Sequence, residues 1–248
     1  MVTFYKYTNQ GGRKINEDNC GIACNGDNFC FVVADGLGGH GGGDVASRMA
    51  VDAVCDTFAV DGWSEHFFPD AFALAQKNIL TEQERLHTPS RMKTTLVILV
   101  LSDGKVHWAH VGDSRLYYFK GTRIKKRTID HSVPQMLALS GEIKDEDIRH
   151  HPDRNRLIRV MGNRGEKPRF EEESPIKLAG TQYFLLCTDG WWELVDEQYM
   201  EQSLKDNSDL EGWVQQMERE IQKNGQGSEM DNYTCIVVKS HQKGLFGR

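Results

Sequence analysis

Three acidic residues stand where apolar segments end or begin. Asp35 follows FCFVVA, Asp189 follows YFLLCT, and Asp231 with Asn232 precedes YTCIVV. A carboxylate at the end of a buried strand is costly to desolvate unless a positive charge compensates it. The three acids therefore predict one shared cation site, and oxygen ligands of this kind favour a hard divalent metal. These features are typical of a metalloenzyme.

The elements that must position these acids are predicted from hydrophobic patterning. Runs rich in β-branched and aromatic residues predict strands, with turns at Asp103-Gly104 and Lys120-Gly121. Apolar residues at helical spacing predict helices. The predicted strands cover 28–34, 94–101, 105–111, 115–119, 182–187 and 234–239. The predicted helices lie around 45–54, 68–79 and 210–221.

The order of these elements predicts the fold class. Strands occur in blocks with helices between the blocks, which favours an α+β fold over a doubly wound parallel sheet. The expected architecture is a central sandwich of two antiparallel β-sheets flanked by α-helices. The pattern Ser208-x-x-Glu211 before the last helix is typical of a capping box.

Composition limits the possible function classes. The chain has 248 residues and a net charge of -6, which opposes a broad nucleic-acid or anionic-membrane surface. No signal-peptide segment is recognised, and the longest aliphatic run, 96–101, is far too short to span a membrane. The six cysteines form no C-x-x-C pair and predict reduced thiols of a cytoplasmic protein. We expect one domain over 1–240 and a flexible tail over 241–248.

A glycine-rich segment offers an alternative function. Residues 36–41, GLGGHG, fit the G-x-G-x-x-G pattern of dinucleotide-binding proteins. However, Asp35 would face the pyrophosphate, and the predicted β-meander after Thr94 does not suit a parallel sheet. An oxidoreductase is therefore disfavoured. The glycines more simply predict a tight turn that lets the Gly36 carbonyl approach a cation.

Eight short motifs occur in order along nearly the whole chain. They are R-x-x-N-E-D (13–18), D-G-L-G-G-H (35–40), M-K-T-T (92–95), H-V-G-D-S-R (110–115), D-H-S (130–132), H-P-x-R-N (151–155), T-D-G (188–190) and D-N (231–232). Together they resemble the metal-dependent Ser/Thr protein phosphatases of the PPM (type-2C) family, bacterial branch. The resemblance implies a PPM-type phosphatase fold with a two-metal site at one end of the sandwich.

The resemblance also implies a set of metal ligands. Asp35 would bridge two Mn²⁺ or Mg²⁺ ions, and the Gly36 carbonyl would bind the second ion. Asp189 and Asp231 would hold the first ion, and Glu17 would reach the second through water. Hard oxygen ligands suit Mg²⁺ or Mn²⁺ rather than Zn²⁺. By this resemblance, a hydroxide bridging the ions would attack the phosphate.

Three further residues have expected roles. Arg13 would bind phosphate oxygens with its planar guanidinium group. Asp18 would orient the site without binding metal directly. Asp113 has two interpretations: it caps the turn between two strands, or it joins Asp189 at a third, weaker metal.

The chain departs from the family pattern near the first motif acid. Leu37 stands where many eukaryotic relatives have a histidine proposed to protonate the leaving group. His40, three residues further on, and metal-bound water are the alternative proton donors. Lys93 replaces the usual glycine before Thr94 and is expected to alter the neighbouring turn.

Other motif residues are expected to be structural. Asp130 and His131 are interpreted as scaffold, and Trp191-Trp192 either pack in the core or face the substrate. The basic run 120–127 is a solvated face or a surface that attracts acidic phosphopeptides, and the segment 134–162 resembles the family's flap.

The expected function is hydrolysis of phosphoserine and phosphothreonine in proteins, opposing a Ser/Thr kinase. The alternative is a catalytically inactive phosphoprotein-binding module of the same fold. We expect phosphorylated protein substrates, a cognate kinase, neither nucleic acid nor membrane as partner, and a monomer. Resemblance to stand-alone bacterial members extends the hypothesis to control of type VI secretion.

Overall fold

The computed structural model describes residues 1–38, 42–87, 91–165 and 167–242. Its strands are β1 (Val2–Asn9), β2 (Asn19–Asn25), β3 (Asn28–Ala34), β4 (Gly36–Leu37), β5 (Lys93–Thr94), β6 (Leu96–Ser102), β7 (Lys105–Val111), β8 (Arg115–Lys120), β9 (Arg123–Arg127), β10 (Glu171–Glu172), β11 (Ile176–Lys177), β12 (Gly180–Cys187) and β13 (Tyr233–Gln242). Its helices are α1 (Gly43–Asp61), α2 (Phe67–Arg85), α3 (Val133–Ser140), α4 (Asp189–Trp192), α5 (Glu197–Asp206) and α6 (Leu210–Asn224), with a 3-10 helix at Asp145–His150.

Two antiparallel sheets form the centre of the molecule. One has the strand order β1-β13-β12-β8-β9, and the other has the order β10-β7-β6-β3-β2, with β11 also paired to β7. Strands β4 and β5 form a separate short pair. The predicted α+β sandwich is therefore confirmed.

The core has three layers, and the strands of the sandwich contribute to all of them: one layer lies between the sheets, and one lies under the helices on each outer face. Phe31 and Val33 of β3 pack with Phe184 of β12 between the two sheets. The intervening residues Cys30 and Val32 pack with α1 and α2 on the opposite face. Because such strands are buried on both faces, their sequences are continuously apolar rather than alternating.

Several boundaries differ from the predicted ones. The predicted strand 94–101 is interrupted at Thr95, where the backbone turns to bond Asp35, so β5 and β6 are separate. Strands β1 and β2 were not predicted, because much of their surface is exposed or half-buried and their apolar pattern is weak. The predicted turn at 103–104 is confirmed, and the second hairpin turn lies at 121–122, one residue later than predicted.

The start of α6 corrects the capping prediction. The N-cap is Asp209, whose Oδ1 accepts a hydrogen bond of 2.8 Å from the Gly212 N–H. The predicted Ser208 cap is therefore wrong by one residue. Both residue types are good N-caps, and burial of Leu210 and Trp213 on the inner face fixes the start of the helix one residue later.

The last strand extends beyond the predicted domain boundary at residue 240. β13 continues to Gln242, with the His241 N–H donating to the Met1 carbonyl. Residues 243–248 of the predicted tail lie outside the described residues. Within the part of the chain that the structure describes, no helix has the length and apolarity needed to cross a membrane.

Candidate active site

Four acidic residues lie at one end of the sandwich. Asp35 follows β3, Asp113 comes just after β7, Asp189 follows β12, and Asp231 lies just before β13. Alternate strands of an antiparallel sheet run in the same direction, so β3 and β7 end on the same side. Adjacent antiparallel strands run oppositely, so the end of β12 meets the start of β13. The topology therefore brings the four acids together.

The backbone of Asp35 is fixed by two threonines. Thr94 Oγ1 donates to the Asp35 carbonyl over 2.7 Å, and the Thr95 N–H donates to the same oxygen over 2.9 Å. The Asp35 N–H in turn donates to Thr95 Oγ1 over 2.9 Å. Thr95 Oγ1 also bonds Ser114 Oγ at 2.7 Å, which connects Asp35 to the loop of Asp113. The M-K-T-T and G-D-S-R motifs thus share one hydrogen-bond network.

The glycines that follow Asp35 and Asp189 are required by close packing. A side-chain carbon at Gly36 would lie 2.2 Å from the Gly43 carbonyl oxygen and 2.6 Å from that of Glu17. A side-chain carbon at Gly190 would lie 2.1 Å from the Asn232 carbonyl oxygen. Any larger residue would push these segments apart, so the Asp-Gly pairs allow the strand ends to meet closely.

Asn232 ties the N-terminal loop to β13. Its Oδ1 accepts a bond of 2.8 Å from the Glu17 N–H, while its Nδ2 donates to the carbonyls of Gln10 and Ile15. Ser47 Oγ also donates to the Glu17 carbonyl over 2.6 Å. The loop that carries Arg13 and Glu17 is therefore held against the other strand ends.

A cavity of about 530 Å³ opens where these segments meet. Its walls contain seven of the predicted site residues: Arg13, Glu17, Asp35, Gly36, Asp113, Asp189 and Asp231. Leu37, Asn155 and Leu157 line it as well. The predicted His40 lies outside the described residues.

The carboxylates in this cavity destabilise one another. Burial, followed by the charge of Asp189, raises the pKa of Asp35 well above its ordinary value. Burial and Asp113 raise the pKa of Asp189 in the same way. Burial and the nearby Asp130 raise the pKa of Asp113 to about 7. In the absence of a cation, this arrangement favours protonated carboxyl groups.

The donor set fits divalent metal ions. Asp189 Oδ1 is buried and accepts no hydrogen bond from any residue that the structure describes. Several carboxylates and the Gly36 carbonyl provide only oxygen atoms, which is the preference of Mg²⁺ and Mn²⁺. A bound cation would also remove the mutual repulsion that raises the pKa values.

Arg13 is in the cavity, but its partner is a carboxylate. Its Nε and Nη2 donate to Asp231 Oδ1 and Oδ2 over 3.0 and 2.7 Å. Both side chains are partly exposed. Arg13 is thus the positive charge that compensates Asp231 in this structure, at the place where the sequence predicts a metal ligand.

Asp18 lies behind the cavity and is buried. Its Oδ2 accepts a bond of 2.9 Å from Thr188 Oγ1, and the same oxygen of Thr188 accepts from the Thr234 N–H. Burial raises the pKa of Asp18 to about 7, although these threonines favour its charged form. This position agrees with a supporting residue rather than one that points into the cavity.

An ion pair beside Asp189 was not predicted. Arg154 Nε lies 2.8 Å from Glu193 Oε1, at the end of α4. The pair attaches the loop that carries Asn155 and Leu157 to the helix that begins with Asp189. The H-P-x-R-N motif contained Arg154, but no spacing in the sequence indicated its partner.

A second group of potential metal ligands lies outside this cavity. Ring or carboxylate atoms of His110, His131 and Glu171 lie within 4.8 Å of one another. However, the two rings stack at only 7°, so no position lies in both ring planes, where a shared ion would have to sit. The Gly112 N–H donates to His131 Nδ1, and His131 Nε2 lies 3.3 Å from Arg159 Nη1 and 3.6 Å from Glu171 Oε1. This geometry supports scaffold rather than metal binding.

The remaining motif residues are structural. Asp130 forms a bidentate pair with the buried Arg115, at 2.9 and 2.6 Å. Trp191 and Trp192 are buried, which confirms the core-packing interpretation. Lys93 lies in β5, paired with Leu37 of β4, and its expected effect on the neighbouring turn stays a prediction.

Known bacterial phosphatases resemble this chain in sequence and structure. Residues 9–233 match the family model described as Protein phosphatase 2C. The serine/threonine phosphatase stp of Listeria monocytogenes is 35% identical over 246 residues, covering 94% of each chain. The structure of Stp1 from Staphylococcus aureus gives a TM-score of 0.87 at 27% identity, covering 98% of this chain and 96% of that one. PppA of Pseudomonas aeruginosa, described as a key regulatory component of T6SS, gives 0.78 at 27% identity, covering 96% of each.

The chain belongs to the protein phosphatase 2C family. It is therefore a bacterial PPM-type protein-serine/threonine phosphatase, as the ordered motifs predicted. The oxidoreductase interpretation of the glycine-rich segment is wrong, because the two large sheets are antiparallel and residues 36–38 line the cavity that contains the acids.

Proposed function

We propose that this protein removes phosphate from phosphoserine and phosphothreonine in protein substrates, using divalent metal ions and opposing a Ser/Thr kinase. The observation that carries the proposal is the convergence of four strand-end acids on one cavity that also contains Arg13. The named activity of the Listeria relative supports the same reaction.

The proposed metal ligands are residues of this chain. Asp35 and the Gly36 carbonyl, with Asp189 and Asp231, would hold two Mn²⁺ or Mg²⁺ ions, and Glu17 would contribute through water. Such ions lower the pKa of bound water and stabilise charge on a transferring phosphoryl group. The protein's own task is to hold the carboxylates in place, which the Thr94, Thr95 and Asn232 hydrogen bonds accomplish.

Arg13 is proposed to change partners when metal binds. A cation on Asp231 would weaken the Arg13–Asp231 pair, leaving the guanidinium group free to bind two phosphate oxygens. The side chain is partly exposed at the mouth of the cavity, so this movement needs no change in the core. Arg13 would then bind the substrate and orient its phosphate.

Replacing Arg13 with alanine is expected to raise KM for a phosphothreonine peptide about 10-fold. A change of this size corresponds to the free energy of one charge-assisted hydrogen bond. The Mn²⁺ concentration for half-maximal activity should fall, because Asp231 loses its competing partner. Steady-state kinetics at several Mn²⁺ concentrations measure both effects. The control is Lys14→Ala, which removes a different positive charge from the lining of the same cavity. Unchanged KM and kcat would remove Arg13 from the site.

Replacing Asp113 with alanine is expected to lower kcat roughly 10- to 100-fold while two tight metal sites remain. The reason is that Asp113 is proposed to contribute only to a third, weaker ion together with Asp189. Calorimetric titration with Mn²⁺ and kinetics on the same variant distinguish this from a turn-capping role. Loss of both tight ions, or unchanged turnover per folded molecule, would contradict it.

Turnover of phosphopeptides tests the proposed function against the inactive-module alternative. With saturating Mn²⁺, the protein should release phosphate catalytically from phosphoserine and phosphothreonine peptides. Stoichiometric peptide binding without phosphate release would instead support a phosphoprotein-binding module. A phosphotyrosine peptide of the same sequence measures the selectivity of the cavity.

The proposed cellular setting is a cytoplasmic kinase–phosphatase circuit. All six cysteines are unpaired, which is usual in a reducing compartment. The likeness to PppA motivates the hypothesis that the circuit controls type VI secretion. Phosphoproteomics of cells that carry an inactive variant would test it, since secretion components should accumulate phosphate.

We propose that the protein is a monomer, which analytical ultracentrifugation would test.

A further inference from the structure

A second cavity, of about 630 Å³, lies at the edge of the β9 sheet. It is formed by β9, the 3-10 helix with its flanking residue Lys144, Arg115 of β8 and Glu197 of α5. Six basic and three acidic side chains line it. Two further acids outside the lining, Asp130 and Glu173, pair with Arg115 and Lys126, so the surplus of positive charge is one and corresponds to Lys125. The active-site residues described above are not part of this lining.

A β-bulge concentrates the positive charge. Tyr118 pairs with Lys126 and Phe119 pairs with Ile124, so Lys125 between them has no cross-strand partner. In a regular strand, consecutive side chains point to opposite faces. Here the consecutive residues 124–127 of the edge strand β9 all line the cavity, and the bulge breaks the alternation at Lys125. This basic edge strand therefore forms one wall of the pocket.

Most of the charged residues in the cavity are held by ion pairs. Arg149 Nη2 lies 2.5 Å from Glu197 Oε2, and Arg127 pairs with Asp145. Lys125 differs from them, because it forms no ion pair with any residue that the structure describes. The pairs give the pocket a fixed shape, whereas the Lys125 ammonium group is available to a ligand.

A continuous segment of the chain connects the basic pocket to the active site. Arg149 donates to the carbonyls of Trp192 and Val195, which anchors the 3-10 helix on the segment that follows Asp189. The residues after this helix lead directly to Asn155 and Leu157, which line the catalytic cavity. The segment 150–157 therefore runs from the 3-10 helix of the basic pocket to the lining of the catalytic cavity.

We propose that this pocket binds an acidic segment of the protein substrate, rich in Asp, Glu or further phosphorylated residues, at a distance along the chain from the residue being dephosphorylated. The inference rests on the proposed phosphatase function and adds a substrate class to it. The surplus positive charge supplies complementarity, and the volume accommodates several side chains rather than one small ion.

Direct binding tests the pocket without relying on catalysis. A glutamate-rich peptide without phosphate should bind the wild-type protein in calorimetry at low salt. Lys125→Glu should weaken this binding about 10-fold, because it replaces an attractive charge with a repulsive one. The matched control is Lys120→Glu, an exposed lysine on the same hairpin that does not line the pocket. Equal loss in both variants would overturn the proposal, since it would show only a general charge effect.

Kinetics test whether the pocket selects substrates. Two phosphothreonine peptides, one with a glutamate-rich extension and one with a glutamine-rich extension, are compared with an aryl phosphate. The wild type should show a KM about 10-fold lower for the acidic peptide, and Lys125→Glu should remove this preference. Hydrolysis of the aryl phosphate should be unchanged in Lys125→Glu.

The outcomes distinguish the proposed phosphatase function from the proposed acidic-segment site. If no substrate is hydrolysed but the glutamate-rich peptide binds in a Lys125-dependent manner, the phosphatase function fails and the acidic-segment site stands. If the phosphopeptides are hydrolysed without preference for the acidic extension, the pocket proposal is overturned alone. Lys125-dependent binding of inorganic phosphate without binding of the peptide would also overturn it, because the ligand would then be a small anion.

Discussion

Replacing Asp35 with asparagine is expected to reduce kcat/KM for a phosphothreonine peptide by about 1,000-fold or more, while the fold is retained. Asp35 is proposed to bridge the metal ions, and loss of that ligand removes several kcal/mol of charge stabilisation from phosphoryl transfer. Asparagine keeps the shape and the backbone bonds to Thr94 and Thr95, so structure should not be lost. Steady-state kinetics with Mn²⁺ and circular dichroism measure the two effects.

The matched control for this variant is Asp103→Asn. Asp103 also lies at a strand end, but in the β6–β7 turn at the opposite end of the sandwich. Its φ of 52° is one that asparagine adopts readily, so the substitution should be tolerated. Activity within about 10-fold of wild type in Asp35→Asn at saturating Mn²⁺ would contradict the proposed bridging role.

Metal-free protein is expected to lose stability as the pH rises above about 7. The pKa values of Asp35 and Asp189 are raised well above their ordinary range in the folded state. A carboxyl group with a raised pKa binds its proton more tightly when folded. The stabilisation of the folded state by this carboxyl group is complete at pH values below its pKa in the unfolded chain, which is near 4. It is lost as the pH rises through the pKa of the group in the folded state.

Above about pH 7, the titration of histidine does not oppose this decline in stability. Burial and the adjacent His110 lower the pKa of His131 to about 4, so unfolding at acid pH is favoured by protonation of this ring. Above about pH 7 the ring is neutral in both states and no longer contributes. Urea unfolding in excess chelator measures the effect. Saturating Mn²⁺ or the Asp35→Asn substitution should flatten the decline, and a flat or rising profile in the metal-free wild type would contradict the account.

The parts of the fold that the sequence predicts are those buried on both sides. β3, β7 and β12 are dominated by apolar and aromatic residues, and their order was sufficient to indicate a sandwich. β1 was missed because half-exposed polar residues interrupt its pattern, and α5 was missed because it is mostly polar. Such elements form because partners pair with them: β1 pairs with β13 along its whole length.

The acidic residues of the site were predictable, but their partners were not. Asp35, Asp189 and Asp231 were indicated by their positions at strand ends, because that placement needs a compensating charge. The contact of Arg13 with Asp231 joins residues 218 positions apart, and no local pattern encodes it. The same holds for Arg154 and Glu193, whose pairing depends on how a loop returns to α4.

The central claim is that hydrolysis depends on divalent metal held by the strand-end carboxylates. The most direct measurement is the rate of phosphate release from a phosphothreonine peptide during removal and return of metal. Excess chelator is expected to reduce the rate to background, and excess Mn²⁺ or Mg²⁺ is expected to restore it. Full activity in excess chelator, on protein shown by elemental analysis to contain less than one metal ion per chain, would contradict it.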